Sequence, residues 1–233
     1  MSFVAKIPND STPGSTRRTA AVLFDDHFSS TLTWAGLTSS GGSIAQSGAV
    51  ISDKSIGVLT WSTGTTSTGR VATLSHVDGL WFGSTRYTFE SRAGLANLST
   101  ATEAYTVRFG FMDSATGDAT DGHYFRYTHG TNTGRWQCVT RTNSVETVTN
   151  TTVAAVGLTN GEPYSIFRID VASSGTKIVF TIDGRIVATH TTGPTTSTRA
   201  TGFGYSIIKS AGTTARQLCV DYTYFVANIQ GER

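Results

Sequence analysis

The chain has 233 residues, only 15% of them charged, and a formal net charge of +2. Its 41 threonines, 25 serines and 25 glycines make up nearly two-fifths of the sequence. Glu and Lys are too scarce for long helices or a coiled coil, and 38% apolar and 10% aromatic residues argue against disorder. No apolar run approaches the ~20 residues of a membrane helix. No Lys/Arg cluster offers the electrostatic footprint of a nucleic-acid binder. Met1 to Pro8 hold no apolar block of signal-peptide length, and two cysteines make no disulfide framework. Threonine is β-branched and suits the wet face of a pleated strand, while glycine punctuates turns. The expectation is one all-β domain whose surface carries hydroxyls rather than charges.

In chain order, residues 1–22 are expected to be an arm: Pro8 to Gly14 is turn-rich and aperiodic, and Arg17 and Arg18 follow. The body, 23–233, is expected to open on Val22-Leu23-Phe24-Asp25-Asp26-His27-Phe28. Short strands are expected at 50–51, 56–61, 70–74 and 87–93, and a strictly alternating one at 105–111. Further strands are expected at 123–127, 135–140, 164–171, 201–208 and 216–226. The strongest local signal is Lys177–Ile182, Asp183-Gly184, Arg185–Thr189. Asp-Gly between two alternating runs predicts a type I′ hairpin, whose two central residues need positive φ. About a dozen short strands with turns between them predict a two-sheet antiparallel sandwich.

The block from Trp136 onward carries a pattern. Gly161-Glu162-Pro163-Tyr164 leads into Ile166–Asp170, followed by Ile178–Gly184, a Thr-rich link with Pro194, Ser210–Arg216 and Leu218-Cys219-Val220-Asp221-Tyr222. This resembles the concanavalin A-like (laminin G-like) jelly-roll domains of tailed-bacteriophage structural proteins, and Asp25–Phe28 is similar to their first strand. The resemblance spans residues 22–229. It implies a jelly-roll sandwich in which Phe180–Gly184 is a central hairpin and Val220-Asp221-Tyr222 belongs to a last strand returning beside the first. It also implies a virion protein, assembled in the host cytoplasm together with further copies of itself and other virion proteins.

Four kinds of site were weighed against the plainer role of each residue. A glycoside-cleaving pair needs two carboxylates flanking one bond. Glu90 has no second acid on its strand and Glu103, Glu146 and Glu162 stand apart near turns, so no catalytic pair is expected; Glu90 is expected at the surface or paired with Arg92. Asp113, Asp118 and Asp121 lie in one acidic loop that could hold Ca²⁺, although the spacing is not that of an EF-hand and Asp is an ordinary turn residue. No Gly-x-Ser-x-Gly elbow is present, and Cys138 and Cys219 fit small buried side chains. Carbohydrate is held by aromatic faces and hydrogen bonds in shallow sites. Of the adjacent Trp81 and Phe82, one must face outward on a strand. The loop 113–123, with Asp121 and His123, and the turn 129–134, with His129 and Asn132, are expected together at one end of the sandwich.

The combined expectation is a non-enzymatic virion protein on the particle surface. Its arm, through Phe3, Ile7, Arg17 and Arg18, would anchor it, and its loops would bind host glycan without a cofactor other than Ca²⁺. A capsid-bracing decoration protein and a polysaccharide-cleaving enzyme are the alternatives. Nucleic acid and membrane are not expected partners.

Overall fold

The structure is a computed structural model that describes residues 19–26, 38–47, 57–83, 85–159, 161–195 and 199–230. Its strands in chain order are β1 (Thr19–Asp26), β2 (Thr38–Ser40), β3 (Ser43–Ser47), β4 (Val58–Ser62), β5 (Arg70–Trp81), β6 (Arg86–Leu95), β7 (Tyr105–Met112) and β8 (Gly122–Thr128). They continue as β9 (Arg135–Thr142), β10 (Val145–Ala154), β11 (Ser165–Val171), β12 (Ile178–Ile182), β13 (Arg185–His190), β14 (Ala200–Lys209) and β15 (Gln217–Gln230). Among the described residues the one helical element is a four-residue 3₁₀ turn, Thr131–Gly134.

All pairings between these strands are antiparallel and form two sheets. One runs β13-β12-β11-β6-β15-β4-β3, with β1 also on β15; the other runs β10-β9-β8-β7-β14-β5-β2. The expected all-β, two-sheet antiparallel sandwich is therefore the fold observed. The last strand does return beside the first, with Phe24 opposite Phe225. That first strand begins at Thr19, inside the stretch assigned to the arm; Phe3, Ile7, Arg17 and Arg18 lie outside the described residues.

Alternation decides what each strand buries. On β7, Tyr105, Val107, Phe109 and Phe111 face the core, while Thr106 and Arg108 are only partly covered. Phe89 on β6, Phe167 and Ile169 on β11 and Phe225 on β15 meet them from the other sheet. Two polar links cross this layer. The buried Tyr205 hydroxyl on β14 donates to Ser91 Oγ on β6 at 2.9 Å and shares a 2.6 Å hydrogen bond with Thr223 on β15. Trp61 Nε1 on β4 donates to Thr73 Oγ1 on β5 at 3.2 Å. The buried Trp61 indole and Tyr205 phenol thus keep their hydrogen bonds.

The Asp183-Gly184 turn has φ values of 49° and 75°, as a type I′ hairpin requires. The hairpin β12–β13 lies at the edge of its sheet, not at the centre that the resemblance implied. Gly184 has open space where a Cβ would stand, which suits an edge turn. A second hairpin of the same kind joins β9 to β10, with Asn143 at φ 49° and Ser144 at φ 68°.

Candidate functional site

The seven-stranded sheet turns a polar, cationic face outward. In one rung across it stand Ala72 on β5, Ser206 on β14, Arg108 on β7, Arg126 on β8, Gln137 on β9 and Asn150 on β10. Arg70 projects one rung away on β5, and Arg141 two rungs away on β9. Like charges directly opposite one another destabilise a sheet. Here Arg108 and Arg126 are opposite, and two carboxylates stand between the cations. Arg108 donates to Asp118 at 2.6 Å, and Arg126 holds Glu146 with two hydrogen bonds of 2.9 and 3.0 Å. Arg141 lies 3.5 Å from Asp118 and 3.6 Å from Glu146. Three guanidinium groups meet two carboxylates, so the cluster carries net positive charge.

The next rung is nearly bare backbone. Gly204, Gly110 and Tyr124 are opposite one another on β14, β7 and β8. Gly110 sits at φ 140°, and a Cβ there would come within 2.5 Å of the His123 carbonyl. The loop 113–121 folds back over this bare strip, placing Ala115 and Ala119 with Met112, Tyr124 and Val139 in a small second apolar cluster. The loop therefore walls one side of the arginine cluster.

Several buried donors of this face have no hydrogen-bond partner among the described residues: Arg70 Nε, Arg108 Nε, Arg141 Nε, Tyr124 Oη and Ser206 Oγ. A buried polar group without a partner costs about 1–3 kcal/mol. Burial, with Asp118 second, holds the Tyr124 phenol above the usual tyrosine range, so it acts as a donor.

Trp81 is on the outside, 39% exposed, and Phe82 is fully buried, so one of the pair faces out as alternation requires. His123 is also fully buried, edge-on to Phe82 at 5.5 Å. Neither Phe82 nor His123 can touch a surface ligand. They support the loop end from beneath, because β8 turns His123 inward between two aromatic strands.

Asp121 accepts from the Asn143 N–H at 2.6 Å and from Arg199 Nε at 2.8 Å. Asp113 accepts from the Thr120 and Asp121 N–H groups at 2.9 and 3.2 Å. The three aspartates of the acidic loop are thus spent on stapling the loop or on arginine. Among the described residues no three His, Cys, Asp or Glu side chains gather as metal ligands.

His129 and Asn132 were expected beside the acidic loop. They stand at the other end of β8, because seven residues at about 3.3 Å each separate the two loops. Asn132 Nδ2 donates to the Trp136 and Thr151 carbonyls, both at 3.0 Å, and so closes its own turn.

Nor does Glu90 pair with Arg92. It takes Arg168 at 3.3 Å and the Tyr222 hydroxyl at 2.8 Å, while Arg92 is held by Asp221 and Glu162. Glu146, Glu162 and Glu90 looked isolated along the chain, yet pairing across strands gives each an arginine. Arginines in the outward register of adjacent strands were the signal that chain-order reading missed. The cysteines are free and buried, and burial raises both thiols above their usual range.

Beneath the site, burial, followed by the nearby His190, pushes the His123 imidazole down to about 3; burial also lowers His190. His123 therefore stays neutral when folded but takes up a proton near 6.5 when unfolded. Its contribution is complete above 6.5 and is lost as pH falls toward 3. It should remove about 2–3 kcal/mol of stability between pH 7 and 4.5. His123→Phe should flatten that limb in urea titrations run across this range. An unchanged pH slope would show that His123 is not the group responsible.

No curated protein matches the chain in sequence. Among solved structures, the protein of unknown function SO2946 from Shewanella oneidensis MR-1 superposes with a TM-score of 0.60 at 13% identity, covering 100% of this chain and 99% of that one. The endo-β-1,4-glucuronan lyase of the fungus Trichoderma reesei gives 0.58 at 15% identity, covering 87% and 93%. The carbohydrate esterase vb_24B_21 of Shiga toxin-encoding bacteriophage phi24B gives 0.51 at 13% identity, covering 83% and 90%. At such identities the likeness is one of fold, the concanavalin A-like sandwich. Residues 54–221 match the family described as SO2946-like, C-terminal domain, and with most of its length inside that match the chain belongs to this family.

Proposed function

We propose that this protein is a non-enzymatic carbohydrate-recognition domain of a tailed-phage virion, holding acidic host glycan on the outer face of its seven-stranded sheet. One observation carries the reading: the partly buried Arg108, Arg126 and Arg141 gather there around only two carboxylates, Asp118 and Glu146. Guanidinium groups match carboxylate and sulfate geometry in pairs of hydrogen bonds. A cluster with more cations than carboxylates favours an acidic polymer over a neutral one. The lyase with the same fold is named for an acidic polysaccharide, and a phage carbohydrate esterase shares the fold as well. The resemblance of the Trp136–Tyr222 block to tailed-phage structural proteins supports the setting. The absence of turnover is inferred from the carboxylates whose side chains are described, each of which is tied to arginine or backbone N–H.

The test is binding of the full chain to immobilised polyglucuronate, alginate and hyaluronan, with dextran as neutral control. Binding should appear on at least one acidic polymer and weaken with salt, because partly exposed charges are screened. Arg108→Ala and Arg126→Ala should each weaken it about tenfold or more. Indifference to both substitutions, or dextran binding that they weaken equally, would overturn the acidic-glycan assignment. Steady release of reducing ends from any of these polymers would overturn the non-enzymatic part. Antibody labelling of purified particles tests the virion setting, which absence of label would exclude.

A further inference from the structure

The opposite sheet carries a second concavity of different chemistry. Its floor is two rungs of the eight-stranded sheet: Ser43, Ser62 and Gln217 in one, and Ala45, Thr60, Cys219 and Gly94 in the next. Its wall is Leu158, Gly161 and Tyr164, held on the sheet by the Leu158 N–H donating to the Leu95 carbonyl at 2.8 Å. Gly94 makes that seating possible. A Cβ there would stand 2.6 Å from Leu158 Cδ2 and 3.3 Å from Tyr164 Cδ1. The resulting groove has a volume of about 510 Å³, within the range of small-molecule clefts.

None of the described residues lining it is charged. Ser43, Thr60 and Ser62 bring hydroxyls, Gln46 and Gln217 bring amides, and Tyr164 brings a ring and a hydroxyl. Thr60 Oγ1 has only the Cys219 sulfur at 3.8 Å, a weak partner that leaves it able to bond elsewhere. The buried Tyr164 Oη has no partner among the described residues. Arg92 lies over the Tyr164 ring, 4.7 Å from its centroid, and its guanidinium is committed to Asp221 and Glu162. It fixes the ring and offers no charge to the groove.

We infer that this groove is a second ligand site, for an uncharged polyhydroxylated ligand of the size of a neutral sugar unit. Hydroxyls and amides that both donate and accept suit sugar hydroxyls, and an uncharged lining gives nothing to pair with a carboxylate or phosphate. The site is independent of the arginine face, being on the other sheet.

The experiment uses the full chain with three neutral probes, maltotriose, cellotriose and chitotriose, read by saturation-transfer difference NMR and calorimetry. At least one should bind. Ser62→Tyr, which fills the groove, should weaken it about tenfold or more, and Gln217→Ala several-fold. Arg108→Ala should leave it unchanged, and Ser62→Tyr should leave polyglucuronate binding unchanged, so this site and the arginine face can fail separately. Should Ser62→Tyr not fold, Gln217→Ala and Ser43→Ala decide. Transfer to none of the three probes overturns the inference. So does binding that persists in groove variants whose melting temperature matches the parent.

Discussion

Arg92→Leu should lower the unfolding free energy by about 3–5 kcal/mol, the cost of leaving a buried charge without its partner. Arg92 Nη1 donates to Asp221 Oδ2 at 2.7 Å, and Asp221 has only 5% of its side chain exposed. Nη2 reaches the half-buried Glu162 at 3.0 Å, and the guanidinium covers the Tyr164 ring. Burial alone would lower the Arg92 pKa, yet the hydrogen bond and charge of Asp221, followed by Glu162, hold it above the ordinary arginine value. The folded state therefore needs the cation. A double variant separates two meanings of that need. If the cost is mainly the stranded Asp221 carboxylate, Arg92→Leu with Asp221→Asn should be more stable than Arg92→Leu alone, since removing both charges leaves no buried ion. Urea unfolding of the four corners of this cycle gives the coupling directly. A loss under 1 kcal/mol in Arg92→Leu, or no recovery in the double variant, would refute a structural role for the pair.

Much of the fold was legible because it is written in local chemistry. Alternation at 105–111 and Asp-Gly between 177 and 189 each specify a strand or turn within a few residues, and β7 and the β12–β13 hairpin stand where they were expected. The Asn143-Ser144 turn escaped notice because Ser is a poor signal for positive φ. With it went β10, whose Thr-rich strand lies at the sheet edge with mostly exposed residues and so shows no buried period.

The site was far less legible. Arg70, Arg108, Arg126 and Arg141 are spread over 72 residues, and only strand order and register bring them to one face. Conversely, adjacency along the chain misled: Asp121 and His129 are eight residues apart but stand at the two ends of β8. Even the composition gains a sharper meaning. The charges are few, yet they collect as ion clusters on the outer faces, and the hydroxyls fill the surface between them.

Phe109→Ala should be as costly as any single change in the chain, about 3–5 kcal/mol. Phe109 is the aromatic node between the sheets. Its ring lies 4.9 Å from Phe167 across the core, 5.6 Å from Trp136, 5.7 Å from Phe125 and 6.0 Å from Tyr205. The pairs with Phe167 and Trp136 are edge-to-face, and such pairs each contribute about 0.5–1.5 kcal/mol beyond area burial. The neighbours cannot close the space, since Trp136 and Phe167 pack on one another at 4.8 Å and Tyr205 is tied to Ser91 and Thr223. A cavity therefore persists, and close-packed interiors penalise it by volume. The melting temperature should fall by about 6–20 °C for a chain of this size. Phe109→Leu, which keeps most of the volume, should lose clearly less. Ile186→Ala, at a residue 70% exposed on the edge strand β13, should stay within about 0.5 kcal/mol. Calorimetry of the three variants tests the ranking. If Phe109→Ala melted within 2 °C of the parent, roughly a 1 kcal/mol effect, the two sheets would not be held together through this residue.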